Sequence, residues 1–292
     1  MYTYSLKKLP KNTVEISVLL PKQDIEKYYS EAFKKISAQT EIQGFRKGKA
    51  PKHLIEKQLK REVIYEEIIR GALPQIYEEI LKKEQLKPVI SPKIELVKAK
   101  ENEDWEVKIT VAEKPVVKLA SYKDIILKVK AEKKKGDIWV PGKGAVEAKE
   151  TNEVREKKKQ SLLNSILGEL LKQSEAEIPD LIIEGELERR LSNLLSDIRK
   201  IGLTVDAYLK SKNITQEQLK KSFRKEIEDT YKLEFLLSEV ADKENITVKQ
   251  EEIDKLFQTI QDPKEKEVAK ANSYFYASIL RKQKTLDYLL GV

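Results

Sequence analysis

One histidine, His53, and no cysteine stand in a chain of 292 residues. That composition excludes thiolate nucleophiles, disulfides, Cys/His zinc clusters and any triad that needs both a His and a Cys. His53 follows Pro51-Lys52 with no second His to share a metal, which argues against a ligand or catalytic role. The acid pairs Glu66-Glu67 and Glu78-Glu79 are of the type that does general acid–base work, but both lie on an amphipathic helical run with lysines nearby. Solvated helix faces account for them better. No strand–glycine loop–helix phosphate motif is present. What remains is concentrated charge. Residues 41–61 hold seven basic side chains (Arg46, Lys47, Lys49, Lys52, Lys57, Lys60, Arg61) against Glu41 and Glu56, a net of +5 in a chain whose total is +8. Within that stretch, Gly44-Phe45-Arg46-Lys47-Gly48-Lys49-Ala50-Pro51 sets an aromatic and three cations among two glycines, on a loop between helical runs. An exposed Phe beside Arg and Lys suits a surface offering both apolar pockets and phosphates. Charge and glycine spacing alone also describe the commoner arrangement, a solvated turn with Phe45 tucked into the core.

The elements that must carry this loop are legible in the periodicity. Tyr2 to Leu20 holds two strand-like runs around Pro10-Lys11-Asn12, the second alternating as Val14, Ile16, Val18, Leu20, which predicts a hairpin. Pro21 then opens a helix carrying Ile25, Tyr28, Tyr29, Phe33 and Ile36. After the loop a second helical stretch runs to about Gln85, where Pro74 should bend it or end one segment. Pro88 to Ala99 and Trp105 to Ala112 alternate again and predict a second hairpin. The N-terminal domain, residues 1–119, is therefore α+β, two β-hairpins with helices. Pro115 to Val129 reads as extended, and Lys133-Lys134-Lys135-Gly136 and Pro141-Gly142-Lys143-Gly144 break all periodicity, so residues 120–150 read as a linker. From Thr151 to Val292 the chain reads as an all-α C-terminal domain of about six helices. Thr215 with Gln218 and Thr247 with Gln250 have capping-box spacing, and Asp262-Pro263 is a further start signal.

Two domains also fit the length. A charged fraction of 36% against 40% hydrophobic residues predicts a modest or divided core. No apolar run approaches the roughly 18 residues of a membrane span, and Met1 to Pro10 does not resemble a signal peptide, so the expectation is a soluble cytoplasmic chain without a membrane partner. Three lysine-rich stretches, 98–100, 133–135 and 157–159, have counter-charges close by and no aromatic interleaving. In the helical half, stripes such as Leu219, Phe223, Ile227, Tyr231, Phe235, Leu236 and Val240, or Ile253, Leu256, Phe257 and Ile260, are wider than a thin helical unit should cover. Core packing or a dimer seam is the commoner use of such stripes, and a weak homodimer stays open.

The string Gly44-Phe45-Arg46-x-Gly48-Lys49-x-Pro51 resembles the ribosome-docking signature of the trigger factor family of bacterial chaperones, with all six fixed positions matched. The order hairpin, helix, loop, long helix, hairpin over 1–119 is similar to that family's ribosome-binding domain. Pro115-Val116-Val117-Lys118-Leu119, Glu177-Ile178-Pro179-Asp180-Leu181-Ile182-Ile183-Glu184 and Tyr208-Leu209-Lys210 resemble its later parts. The resemblance implies docking through Gly44, Phe45, Arg46, Lys47, Gly48, Lys49 and Pro51 on the large ribosomal subunit near the exit tunnel, against ribosomal protein and rRNA. It implies a C-terminal domain with extended helical arms that offer apolar patches to unfolded nascent polypeptides, and no cofactor or metal. The family usually carries a peptidyl-prolyl isomerase domain between these parts. Residues 120–150 are too short to enclose its aromatic pocket, a chain below about 40 residues rarely sustaining a core unaided, so no enzyme is expected. The alternatives are an isomerase working through a remnant at 121–150 and a general RNA-binding protein, against which the concentration of charge in one loop speaks.

Overall fold

The computed structural model describes residues 2–41, 45, 46, 48, 51, 54, 55, 61–100, 103–136 and 152–292. It separates into two compact units, residues 1–114 with 179–182, and residues 115–178 with 183–292.

The first unit is built on β1 (Thr3–Leu9), β2 (Thr13–Leu20), β3 (Lys93–Lys98) and β4 (Trp105–Ala112), with α1 (Lys22–Gln39) and α2 (Arg61–Glu84). The strands form one antiparallel sheet in the order β1-β2-β4-β3. Its first turn holds Lys11 and Asn12 at φ 57° and 49°, the left-handed pair that a tight hairpin turn with right-handed twist demands. Pleating sends alternate side chains to opposite faces. Val14, Ile16, Val18 and Leu20 therefore meet Trp105, Val107, Ile109 and Val111 on one buried face, and Ile25, Phe33, Ile64, Ile68, Leu73, Ile76 and Ile80 from the helices complete that core. The other face carries polar residues, including a Lys108–Glu15 pair at 3.3 Å. Burial decides the stability here. Each fully buried Val or Ile contributes about 1.5–3 kcal/mol, whereas an exposed ion pair contributes ~0–1 kcal/mol. The edge strand β3 is exposed along its length, and its register with β4 shifts between Leu96 and Lys98.

Pro74 neither ends α2 nor splits it. Ile64, Ile68, Ala72, Ile76 and Ile80 recur every fourth residue on both sides of it and are all buried, so packing of the stripe outweighs the hydrogen bond that proline forfeits.

The second unit begins with β5 (Val117–Lys118), α3 (Tyr122–Gly136), α4 (Asn152–Gln173) and β6 (Glu175–Ala176). There follow α5 (Asp180–Lys200), α6 (Val205–Lys212), α7 (Gln216–Lys243), α8 (Gln250–Gln258), α9 (Pro263–Ala271) and α10 (Ser273–Gly291). Two expectations need correction. Residues 122–136 are helix rather than extended chain, and the two compact units divide between Lys114 and Pro115. The reason is burial: Tyr122, Ile125, Ile126 and Val129 line one face of α3 and pack with Ile166, Leu170, Leu236, Leu237, Val240 and Leu289. Second, the described residues from 152 to 292 form seven helices where about six were expected. The remainder of the expected linker, 137–150, lies outside the described residues.

The core is divided, with a smaller cluster of Ile253, Phe257 and Ala269 apart from the first. Caps behave as local chemistry requires. Thr215 Oγ1 accepts from Gln218 N at 3.1 Å while Gln218 Oε1 accepts from Thr215 N at 2.9 Å, a complete capping box. Asp262 caps α9 ahead of Pro263. α8 differs from expectation: its cap is Lys249, whose N–H donates to Glu252 Oε2 at 2.8 Å, in place of a Thr247–Gln250 box.

Candidate functional site

The basic loop is set by the end of α1. Thr40 closes that helix, its N–H donating to Ile36 O at 3.0 Å and its hydroxyl to the same carbonyl at 2.8 Å. Thr40's own carbonyl is then available, and Gly48 N–H donates to it at 3.3 Å. Gly48 sits at φ +75°, and a Cβ there would lie 3.0 Å from Ala38 O and 3.2 Å from Ala38 Cα. Both the left-handed backbone and the close approach require glycine. On the far side, Pro51 O accepts from Leu54 N at 3.0 Å and Ile55 N at 3.3 Å, and Ile55 is buried in the core of the first unit. The loop is thus fastened before and after its tip.

Between those fastenings Phe45 is 42% exposed and Arg46 is exposed. Phe45 is not a core residue, which removes the tucked-in alternative. Of the other signature positions, Gly48 is half-buried and Pro51 exposed. Gly44, Lys47 and Lys49 lie outside the described residues, as does His53. An exposed ring beside a guanidinium can fill an apolar dimple while the cation meets a phosphate or carboxylate.

The acid pairs are occupied otherwise. Lys35 Nζ donates to Glu67 Oε1, which with Arg70 nearby holds that carboxyl below its usual range. Lys82 does the same for Glu78 at 2.7 Å, and Glu79 accepts from the Tyr2 hydroxyl at 2.7 Å, which pushes that phenol up to about 12. Lowered carboxyls with cationic partners are the opposite of a general acid poised near neutrality. Among the described residues no group of three or more His, Cys, Asp or Glu could hold a metal, and no helix is long and apolar enough to cross a membrane.

Apolar surface in the second unit is placed differently from expectation. The stripes singled out in the sequence are core: Leu219, Ile227, Leu236, Val240, Ile253 and Phe257 are buried, and Phe223, Tyr231, Phe235, Leu256 and Ile260 half-buried. The exposed positions are others. Around the start of α10 lie Val268, Tyr274, Phe275 and Ile279, with Tyr274 88% and Phe275 60% exposed. Phe275 stacks edge-on with Tyr276 at 5.7 Å, and Tyr276 in turn with buried Phe257 at 5.4 Å, so the exposed ring is braced from the core. Between α5 and α6, Gly202 at φ +74° closes a Schellman turn, with Leu203 N–H donating to Ile198 O and Gly202 N–H to Arg199 O, and presents Ile201, Leu203 and Val205 to solvent. The adjacent Tyr274-Phe275 pair is the sequence signal for the first of these patches, a short one beside the longer stripes of α7 and α8.

A family model for the bacterial trigger factor protein matches residues 2–138, and a model for the trigger factor C-terminus matches residues 143–290. The chain belongs to the trigger factor family. The two matches leave only residues 139–142 between them, and the chain lacks the middle isomerase domain. Over 135 residues it is 33% identical to the trigger factor of Lactococcus lactis subsp. lactis (strain IL1403), covering 46% of this chain and 32% of that protein. To the trigger factor of Natranaerobius thermophilus it is 34% identical over 132 residues, 45% and 30% of the two chains. The match thus spans about a third of the length of those curated relatives. The solved structure reported as "Promiscuous Substrate Recognition in Folding and Assembly Activities of the Trigger Factor Chaperone" superposes with a TM-score of 0.60 over 99% of both chains at 17% identity, a likeness of fold.

Proposed function

We propose that the chain is a ribosome-associated chaperone that holds nascent polypeptides without isomerising prolines. In this reading the loop at Gly44, Phe45, Arg46, Lys47, Gly48, Lys49 and Pro51 docks on the large ribosomal subunit near the exit tunnel, against ribosomal protein and rRNA. The helical unit shields emerging apolar segments in the cytoplasm, and no cofactor takes part. The observation that carries it is the pairing of an exposed Phe45 with an exposed Arg46 on a loop whose backbone is locked at Gly48. The apolar groups at 268–279 and 201–205 supply scattered, shallow contacts of the kind that bind many sequences weakly.

Cosedimentation tests the docking half. Replacing Phe45, Arg46 and Lys47 together with Ala should abolish cosedimentation with ribosomes while helical circular dichroism is unchanged. Wild-type binding should weaken with salt at a log–log slope of about 0.7–0.9 per phosphate contacted, or roughly 2–3 for three cations. Unaltered binding by the triple variant would sink the assignment. A proline-peptide exchange assay should show no acceleration over the uncatalysed rate, which has a time scale of roughly tens to hundreds of seconds.

A further inference from the structure

Two lysine runs that the docking loop does not absorb, 133–135 and 157–159, look along the chain like separate solvated stretches. The fold brings them together. The β5–β6 ladder pairs Lys118 with Glu175, and Lys133 Nζ donates to Ser161 Oγ at 2.6 Å. α3 therefore runs out from that ladder and α4 runs back beside it, antiparallel, so that the last turns of α3 flank the first turns of α4. Residues 128–136 and 152–161 together contain nine basic and three acidic residues, net +6. With +5 in residues 41–61, the remainder of the chain is net −3. Basicity thus sits in two places, which corrects the expectation of a single charged loop with balance elsewhere.

We propose that the adjoining ends of α3 and α4 form a second contact surface, for the phosphates of structured RNA. Lys128, Arg155, Lys157, Lys158 and Lys159 are all exposed there, and the Lys159–Glu156 ion pair at 3.3 Å joins two exposed groups and is easily exchanged. The stretches contain no aromatic residue, so they offer no platform on which splayed single-stranded bases could stack. Amines on two neighbouring helices, with axes roughly 8–10 Å apart, instead match a rigid array of phosphates, which fixes position without reading sequence. Among the described residues of α3 and α4, the large apolar side chains that are exposed are Leu127 and Val154, too little to hold an unfolded chain or anchor in a bilayer. The surface is chemically distinct from the Phe45–Arg46 loop, which combines an aromatic with its cations.

Fluorescence anisotropy of the full chain with a labelled RNA duplex of about 16 base pairs, titrated with salt, tests this. Lys128, Lys157 and Lys159 changed together to Gln should weaken duplex binding on the order of tenfold and lower the salt slope by about 2–3, and Lys157→Gln alone by about 1. Helical circular dichroism should be retained. The Phe45→Ala, Arg46→Ala variant should keep most of its duplex affinity, which separates this surface from the docking loop; loss of ribosome cosedimentation in that variant tests the loop alone. Unchanged duplex binding by the lysine variants, duplex binding abolished by the loop variant, or a wild-type preference for phosphatidylglycerol vesicles or polyglutamate over duplex at equal ionic strength would each overturn the proposal.

Discussion

Gly48 is the residue on which the shape of the candidate docking loop turns. An L side chain there would adopt a strained φ of +75° and press its Cβ to 3.0 Å from the Ala38 carbonyl oxygen. Gly48→Ala should therefore cost about 1–3 kcal/mol locally and reduce ribosome cosedimentation nearly as far as removing Phe45 and Arg46, with the main thermal transition little changed. Full binding by this variant would show that loop geometry is dispensable. The signature string announces the loop, but the sequence does not disclose that Gly48 leans on the backbone of α1, because that approach depends on how α1 ends. Tyr77 poses a different residue-scale test. Among the described residues its hydroxyl is a buried side-chain oxygen without a hydrogen-bond partner. Removing an unsatisfied buried hydroxyl recovers its desolvation cost, about 1–3 kcal/mol, so Tyr77→Phe should raise the denaturant midpoint of the first unit. A lowered midpoint would mean the hydroxyl is satisfied in solution.

α3 is the element where sequence reading and fold part company, and the helical signal was present. Tyr122, Ile125, Ile126 and Val129 follow i, i+3, i+4, i+7 spacing, and Ser121 with Asp124 stands where a cap begins, their side chains 2.6 Å apart. The alternation of Val117, Lys118 and Leu119 ahead of it, and the lysine run after it, obscured a short period. By contrast β2, β4 and the α7 capping box were legible, because one buried face or one local cap defines each without help from the rest of the chain. What holds α3 is also a carboxylate. Glu244, just past α7, accepts from the Tyr122 hydroxyl and from Lys123 Nζ at 3.0 Å, with Tyr288 of α10 adding to it. These donors, Tyr122 first, hold Glu244 at about 2. A carboxyl depressed in the folded state contributes stability above its unfolded pKa and loses it as pH falls towards the folded value. The second unit should therefore lose stability between about pH 4.5 and 2, and Glu244→Gln should flatten that dependence in urea titrations at stepped pH. The partner phenol behaves in the opposite sense. Burial first, then Glu244, pushes Tyr122 up to about 12, so its contribution is complete below its ordinary value of 10.0 and fades as pH rises past it.

At the scale of the whole molecule, the division into two cored units predicts how fragments behave. A fragment of residues 115–292 should delay aggregation of an unfolded client, whereas residues 1–114 should do so poorly, since the braced apolar groups around 268–279 and 201–205 belong to the helical unit. Starting instead at residue 151 removes the four buried side chains of α3, at about 1.5–3 kcal/mol each, and should give a fragment of markedly lower melting temperature. Client delay by neither fragment, with both folded, would deprive the exposed patches of their proposed use. The family and the α+β and all-α halves were readable from motifs and periodicity. The true apolar patches were not, because which of many leucines and aromatics stays wet is settled by three-dimensional packing.

The smallest sheet has the broadest implication. Because Val117 lies opposite Ala176 and Lys118 opposite Glu175, the polypeptide that leaves this point at Leu119 comes back to it at Ser174, where Ala120 N–H is received by the Ser174 hydroxyl at 3.1 Å. Everything between is an excursion with its base already tied. The entropy of such a closed segment grows only logarithmically with its length, about 0.6 kcal/mol per doubling. A folded module could therefore be spliced in or deleted beyond residue 136 at small thermodynamic cost to the base, which makes this point a permissive seam at which members of a lineage can trade whole domains.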